Sequence, residues 1–231
     1  ALAITEKHEP HWRAVLADAW ALAAEADYAR GAADASRDAM DKALQARIRL
    51  AARHPEEAWA LAGMWRLRAA LRAALGDAQV ATESLQQARA LAESLCLRSK
   101  GADAPVRFVI HTLLDQADHA LRTGDLNQAR EAADTARVQA EVFASESKAA
   151  AVWFGETAAC WDRLGEVARA ADASAQAQDA FGRSIEFRRL ARDREPDSTH
   201  AARALSSALL KAGEIALQAD MPESARAAFS E

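Results

Sequence analysis

Two short stretches decide the fold of this chain: Trp161–Gly165, with sequence WDRLG, and Ala177–Phe181, with sequence AQDAF. In this phrase an apolar opener is followed by a small residue, a turn residue and a second small residue at fixed spacings. The phrase occurs five times, and its openers are Trp20, Trp65, Leu113, Trp161 and Leu209, spaced 45, 48, 48 and 48 residues apart. A fixed period of this length is typical of stacked supersecondary units that contact only their neighbours.

The small residues of the phrase predict where helices cross, because two helices approach to about 8–10 Å only over short side chains. They are Ala24, Ala69, Ala117, Gly165 and Gly213 in first helices, and Ser36, Ala81, Ala129, Ala177 and Ala225 in second helices. The turn residues between them are Gly31, Gly76, Gly124, Asp172 and Asp220. We expect glycine to take the left-handed position here, and Asp77 and Asp125 to cap the helices that follow.

Composition and phase predict an all-α chain. Alanine, leucine, arginine and glutamate favour helix, whereas valine and isoleucine are sparse. We place first helices near 11–29, 56–75, 104–122, 147–171 and 198–218, and second helices near 32–53, 78–98, 126–145, 174–193 and from 222 onward. The prediction is a single array over residues 1–231, with units at roughly 10–54, 55–101, 102–146, 147–195 and 196–231, the last truncated.

The phrase resembles the tetratricopeptide repeat (TPR), a helix–turn–helix unit whose W-x2-L-G and A-x3-F elements match residues 161–165 and 177–181. The fifth unit repeats the second element with Ala225 and Phe229. The family's period is 34 residues, so we interpret the extra residues here as about two added turns in each helix. The resemblance implies a right-handed α-solenoid of about five TPR-like repeats with a 45–48-residue period. This long-repeat variant resembles arrays of bacterial multidomain signalling proteins, which accompany kinase, NTPase or protease-like domains.

Charge and motifs exclude several function classes. A net charge of −5 with mixed signs argues against a nucleic-acid binder, and no apolar window is long enough to span a membrane. Neither phosphate-binding glycine loops nor GxSxG or HExxH motifs occur, so we predict no cofactor and no enzyme activity. Cys96 and Cys160 have no metal or redox spacing, and we interpret them as buried residues in the reducing cytoplasm. The chain lacks an initiator Met and stops inside a helical pattern, so we expect a fragment of a longer protein.

One polar stripe on the third first helix has two interpretations, a metal site and a solvated face. His111, Asp115 and His119 are spaced four residues apart and share a face, with Asp118 beside them. Two imidazoles and a carboxylate could bind zinc or nickel. A solvated polar stripe explains the same spacing, and we favour it because no fourth ligand is visible.

Aromatic and basic residues also have two interpretations. Trp20, Trp65 and Trp161 could line a ligand groove, but their phase favours the core. Trp59 has no counterpart in the other units, so it is the tryptophan most expected to lie outside the core. Trp12 and Trp153 lie eight residues before two openers and continue the apolar stripe. The basic run of Arg188, Arg189, Arg192 and Arg194 could meet an acidic peptide or a phosphate, but interleaved acidic residues favour a solvated helix face.

The predicted function is a non-catalytic protein–protein interaction scaffold. In TPR arrays the concave surface is lined by first helices, so the resemblance implies a partner-binding surface formed by Arg66, His111, Asp115, Asp118, Arg122, Asp162, Arg169, Lys211 and Glu214. Their mixed charge favours a peptide or helix as the partner. The alternatives are a ligand- or peptide-sensing arm of a kinase-, NTPase- or protease-type effector, and a substrate-recruiting module of an enzyme. The chain is expected to be a monomer, or a weak homodimer through open array ends where Leu209 and Leu217 would be exposed.

Overall fold

A computed structural model describes residues 9–99, 102–146, 150–218 and 221–230, and these ranges are helical apart from short turns. The first helices are α1 (Glu9–Ala29), α3 (Ala58–Ala74), α5 (Asp103–Thr123), α7 (Ala150–Ala170) and α9 (Thr199–Gln218). The second helices are α2 (Ala33–Arg53), α4 (Ala78–Arg98), α6 (Leu126–Glu146), α8 (Ser174–Arg194) and α10 (Pro222–Ser230). A 3₁₀ turn, Pro55–Glu57, precedes α3. The predicted helix ends agree with these bounds to within two residues, except that the predicted start at 147 lies outside the described residues.

The chain divides into two compact units, residues 1–115 and 116–231. In unit 1, α1 packs on α2, α2 on α3 and α3 on α4. In unit 2, α6 packs on α7, α7 on α8, α8 on α9 and α9 on α10. This all-helical succession of packed hairpins is consistent with a TPR-like fold. One continuous array over residues 1–231 stays a prediction.

The tight turns have the predicted left-handed backbone. Gly31, Gly76 and Gly124 have φ of 77°, 83° and 82°, and Asp172 adopts the same region with φ of 56°. After Gly124, the Asp125 N–H donates to the Ala120 carbonyl at 2.9 Å, which closes the end of α5. Glycine avoids the steric cost of this conformation, which is why it recurs at this position. The predicted turn residue Asp220 lies outside the described residues.

The two predicted aspartate caps differ. Asp125 caps α6, since its Oδ1 accepts a hydrogen bond from the Gln128 N–H at 2.9 Å. The prediction for Asp77 was wrong, because its side chain makes no cap hydrogen bond. Its carboxylate instead accepts from Arg37 Nε at 2.8 Å and from Arg72 Nη1 at 3.0 Å. Hydrogen bonds between two charged groups are stronger than those from a neutral backbone amide.

The small residues do mark close helix crossings. Ala24 and Ser36 are both fully buried, and the Ser36 hydroxyl donates to the Ala24 carbonyl at 2.8 Å. Gly165 lies under the ring of Phe181, where an added Cβ would be 2.7 Å from two ring carbons. These positions therefore set how closely α1 approaches α2 and α7 approaches α8.

The tryptophan openers are less buried than predicted. Trp20 and Trp65 pack against the core of unit 1 but remain partly exposed. Lys42 lies over the Trp20 ring at 4.9 Å and Arg68 lies over the Trp65 ring at 5.7 Å. The indole therefore has one face in the core, while its other face carries a cation, which is a favourable arrangement for a π-system.

The added turns contain both a buried and an exposed tryptophan. Trp153 is fully buried, with its ring centroid 4.7 Å from that of Phe143. Trp12 is 54% exposed, so it departs from the predicted apolar stripe. Cys160 is fully buried as predicted, whereas Cys96 is only partly buried.

Candidate partner-binding surfaces

The predicted first-helix charges of unit 1 form an internal pair. Arg66 Nε lies 2.6 Å from an oxygen of Asp115, which ties α3 to α5. The same guanidinium lies 5.0 Å from the centre of the Phe108 ring. Trp59 meets that ring edge-on, with a centroid distance of 5.5 Å. His111 is partly buried one turn before Asp115.

In unit 2 the predicted residues are paired mostly with residues that the sequence interpretation did not select. Asp118 lies 2.5 Å from Arg163, and Asp162 accepts a hydrogen bond from Arg188. Lys211 of α9 and Arg169 of α7 both bind Glu166, the latter at 2.8 Å.

Glu166 has a lowered pKa because of this pairing. Burial alone would raise the pKa of its carboxyl group, but hydrogen bonds from Lys211 and Arg169 outweigh burial. Glu166 therefore stays ionised at neutral pH and fixes both cations on one surface. The signal for it in the sequence was weak, namely a carboxylate three residues before Arg169.

Arg122 and Glu214 differ from the other predicted residues. Both are exposed, on α5 and α9, and neither forms an ion pair with any residue in the described ranges. These two side chains can therefore meet a partner without breaking an internal ion pair.

The polar stripe of α5, for which a solvated face is favoured over a metal site, has a mixed environment. His119 is 5% exposed, whereas His111 is partly exposed on the same helix. Across the described ranges, no group of three or more His, Cys, Asp or Glu residues is close enough to hold a metal ion. In the same ranges, no helix combines the length and apolar character needed to cross a bilayer.

A groove that the sequence interpretation missed lies in unit 2, with α6 and α8 as its walls and α7 as its floor. Its volume is about 720 Å³. The floor is formed by Trp161, Leu164 and Ala168. The walls are formed by Asn127, Arg130, Glu131, Asp134 and Arg137 of α6, and by Ala175, Gln176, Asp179 and Ala180 of α8.

Charges in this groove are unequally neutralised. Arg137 lies 5.1 Å from the Trp161 ring centre and pairs with both Asp134 and Glu141, at 2.8 and 2.6 Å. Glu131 of one wall and Asp179 of the other form no ion pair with any described residue. The groove therefore combines an apolar floor with one carboxylate on each wall that has no ion pair within the described ranges.

A single hydrogen bond links the two walls of the groove. Arg130 Nη2 donates to Gln176 Oε1 at 2.7 Å, and both side chains are exposed. An exposed contact of this kind contributes little stability, so the link can open at small cost.

The corresponding place in unit 1, between α2 and α4 over α3, is occupied by two arginines of the chain itself. Arg68 Nε lies 3.0 Å from Asp41 Oδ1, and Arg72 Nη2 lies 2.6 Å from Asp41 Oδ2. Arg68 also donates to the Ser84 hydroxyl at 2.8 Å, and Arg72 to Asp77 at 3.0 Å. Both oxygens of the half-exposed Asp41 carboxylate thus hold guanidinium groups that are themselves largely buried.

No family model and no curated protein matches the chain. Among solved structures, it is similar to BtubC (BKLC) from P. vanneervenii, with 16% sequence identity and a TM-score of 0.68 over 97% of this chain and 81% of that one. A second structure, the TPR2AB domain of yeast Sti1 in complex with a pHSP90 peptide, has 13% identity and a TM-score of 0.35 over 93% of this chain and 91% of that one. The chain shares its fold with BtubC over nearly its whole length.

Proposed function

We propose that this chain is a non-catalytic protein–protein interaction module. The observation that carries the proposal is the open groove of unit 2, with apolar residues on its floor and, on its walls, two carboxylates that pair with no described residue. Apolar floors rimmed by charge suit the recognition of a peptide segment, whose side chains bring both kinds of group. The right-handed sense, the 45–48-residue period, the bacterial signalling context and the cytoplasmic location belong to this proposal and rest on the sequence.

The first-helix residues predicted from the resemblance form a second proposed contact surface. Internal pairing holds Arg66, Asp115 and Arg169 in fixed positions. Of the nine predicted first-helix residues, Arg122 and Glu214 are exposed and form no ion pair with a residue in the described ranges. We therefore expect these two to contribute most to any contact on this surface.

Quantitative affinity capture with the purified chain as bait tests the proposed function. We expect a partner protein that is retained saturably and whose retention falls when one surface is changed. Two bait variants separate the surfaces: Arg122→Glu with Glu214→Lys for the first helices, and Glu131→Lys with Asp179→Lys for the groove. A partner lost with one double variant and kept with the other identifies the surface in use. Saturable retention that neither variant changes, or no saturable partner at all, would contradict the proposal.

Self-association is tested separately by sedimentation over a range of protein concentrations. The proposal expects a monomer, or a weak dimer whose population rises with concentration. A stable dimer at every concentration would contradict it, because the partner would then be a second copy of the chain.

A further inference from the structure

The two grooves occupy equivalent places in the repeat, so one shows what the other can accept. Alignment of the repeated phrase pairs Trp65 of α3 with Trp161 of α7, the two floor helices. It also pairs Ser36 of α2 with Ala129 of α6, the two helices of the first wall. Asp41 of unit 1 then corresponds to Asp134 of unit 2. The carboxylate that holds both arginines in unit 1 is therefore present in unit 2 as well, where it pairs with Arg137 of its own helix.

The arginines themselves are missing from unit 2. Their counterparts on the floor are Leu164, for Arg68, and Ala168, for Arg72. Leucine and alanine are uncharged and shorter than arginine, and the groove over them has an open volume of about 720 Å³. The walls also present Glu131 and Asp179 without an ion pair to a described residue, so the groove offers negative charge beside its apolar floor.

We infer that this groove binds an arginine side chain supplied by a partner protein; the inference rests on the proposed function and identifies the chemistry of the partner. The methylene stem lies along Leu164 and Ala168, and the guanidinium is bound by Glu131 and Asp179 from opposite walls. Arginine suits this geometry better than lysine, because its planar fork presents several donors in fixed directions to separate carboxylates. Arg130 must leave Gln176 when the groove is occupied, which breaks one exposed hydrogen bond.

Fluorescence anisotropy with a labelled probe tests the inference directly. The probe is a capped synthetic peptide with two arginines one helical turn apart, and the matched peptides replace both arginines with lysine or with uncharged, nearly isosteric citrulline. We expect the arginine peptide to bind about tenfold more tightly than the lysine peptide, and the citrulline peptide not to bind measurably. Equal affinity for arginine and citrulline, or no arginine binding at millimolar peptide, would overturn the inference.

Two kinds of variant test whether the peptide probe binds in the groove. Glu131→Gln with Asp179→Asn changes only exposed groups, so the chain should fold normally and lose about tenfold or more in affinity. Ala168→Arg should fill the groove from within and abolish binding. Its matched control is Ala216→Arg in α9. Ala216 corresponds to Ala168 in the next repeat, and there the residue that corresponds to Asp134 is Gly182. That control should leave binding unchanged.

The outcomes separate this inference from the proposed function. Arginine binding that is unaffected by Glu131→Gln with Asp179→Asn would overturn the inference even if Ala168→Arg does not fold. A second outcome is that the chain carrying Glu131→Gln and Asp179→Asn together captures a partner protein as well as the wild-type chain does. That result would support the interaction function and show that the groove is not the contact surface. Loss of the arginine peptide and of the captured partner with the same variants would support both.

Discussion

Replacing Gly165 with alanine measures how tightly α7 and α8 pack. The new Cβ would lie 2.7 Å from two carbons of the Phe181 ring and 2.9 Å from a third. Carbon atoms in ordinary contact are about 3.5–4.0 Å apart, so the ring must retreat by about 1 Å. It has little room, because Phe181 is 4% exposed and Lys211 lies over its face at 4.9 Å. Overpacking of this kind costs about 1–3 kcal/mol.

A matched control removes the effect of helix propensity. Gly155 lies in the same helix, and an added Cβ there meets no atom within 4 Å. Alanine favours helix over glycine by about 1 kcal/mol. We therefore expect Gly155→Ala to stabilise the fold by about that amount. Gly165→Ala should be less stable than Gly155→Ala by about 1–3 kcal/mol.

Chemical denaturation followed by far-UV circular dichroism measures this difference. Repeating both substitutions in a Phe181→Leu background should bring them closer together, because the ring that the new methyl group meets is gone. The close-approach reasoning fails if Gly165→Ala is as stable as Gly155→Ala in the wild-type background, or if the difference between them survives Phe181→Leu.

Three further predictions test the core and its charges. Ala129→Leu should destabilise the fold by about 1–3 kcal/mol in the same denaturation assay, because Ala129 is fully buried, whereas Gln128→Leu on the exposed side of α6 should change it little. Burial, with nearby carboxylates, raises the pKa of the Cys160 thiol to about 12, so a thiol reagent at pH 8 should label Cys96 first and Cys160 only when the chain unfolds; equal rates for the two would contradict its burial. Hydrogen bonds from two arginines lower the pKa of Asp77 below its ordinary 3.8, so its contribution is present above that pH and lost as the pH falls through the lower folded value. Asp77→Asn should therefore flatten the acid limb of a stability–pH curve, and an unchanged limb would show that the pair is not coupled to folding.

Helices and turns could be predicted from the sequence because their causes are local. The left-handed turns at Gly76 and Gly124 depend on the residue at that position, and the crossings at Ala24 and Ser36 depend on small side chains in a repeated phase. Asp77 shows where local reasoning ends. Its place at the start of α4 predicts a cap, but Arg37 lies 40 residues away in sequence and binds the carboxylate.

The candidate sites were less predictable because they depend on distances between helices. Phase selected Arg66 and Asp115 for the same surface, but it gave no reason to expect that they bind each other across 49 residues of sequence. The groove of unit 2 follows from a comparison between units rather than from any motif. Only the pairing of Arg68 with Asp41 in three dimensions shows that Leu164 leaves a space unfilled.

The two grooves also indicate how a repeat protein can acquire a binding specificity. In unit 1, Arg68 and Arg72 occupy the space over the floor helix and pair with carboxylates of the chain itself. In unit 2, the corresponding floor residues are Leu164 and Ala168, which are shorter and uncharged. Arg72 and Ala168 are both buried, at 7% and 5% exposed, so a substitution at this position must also fit the packing of the hairpin. The charge carried over the floor helix can therefore differ from one hairpin to the next while the helices themselves keep their lengths and their turns.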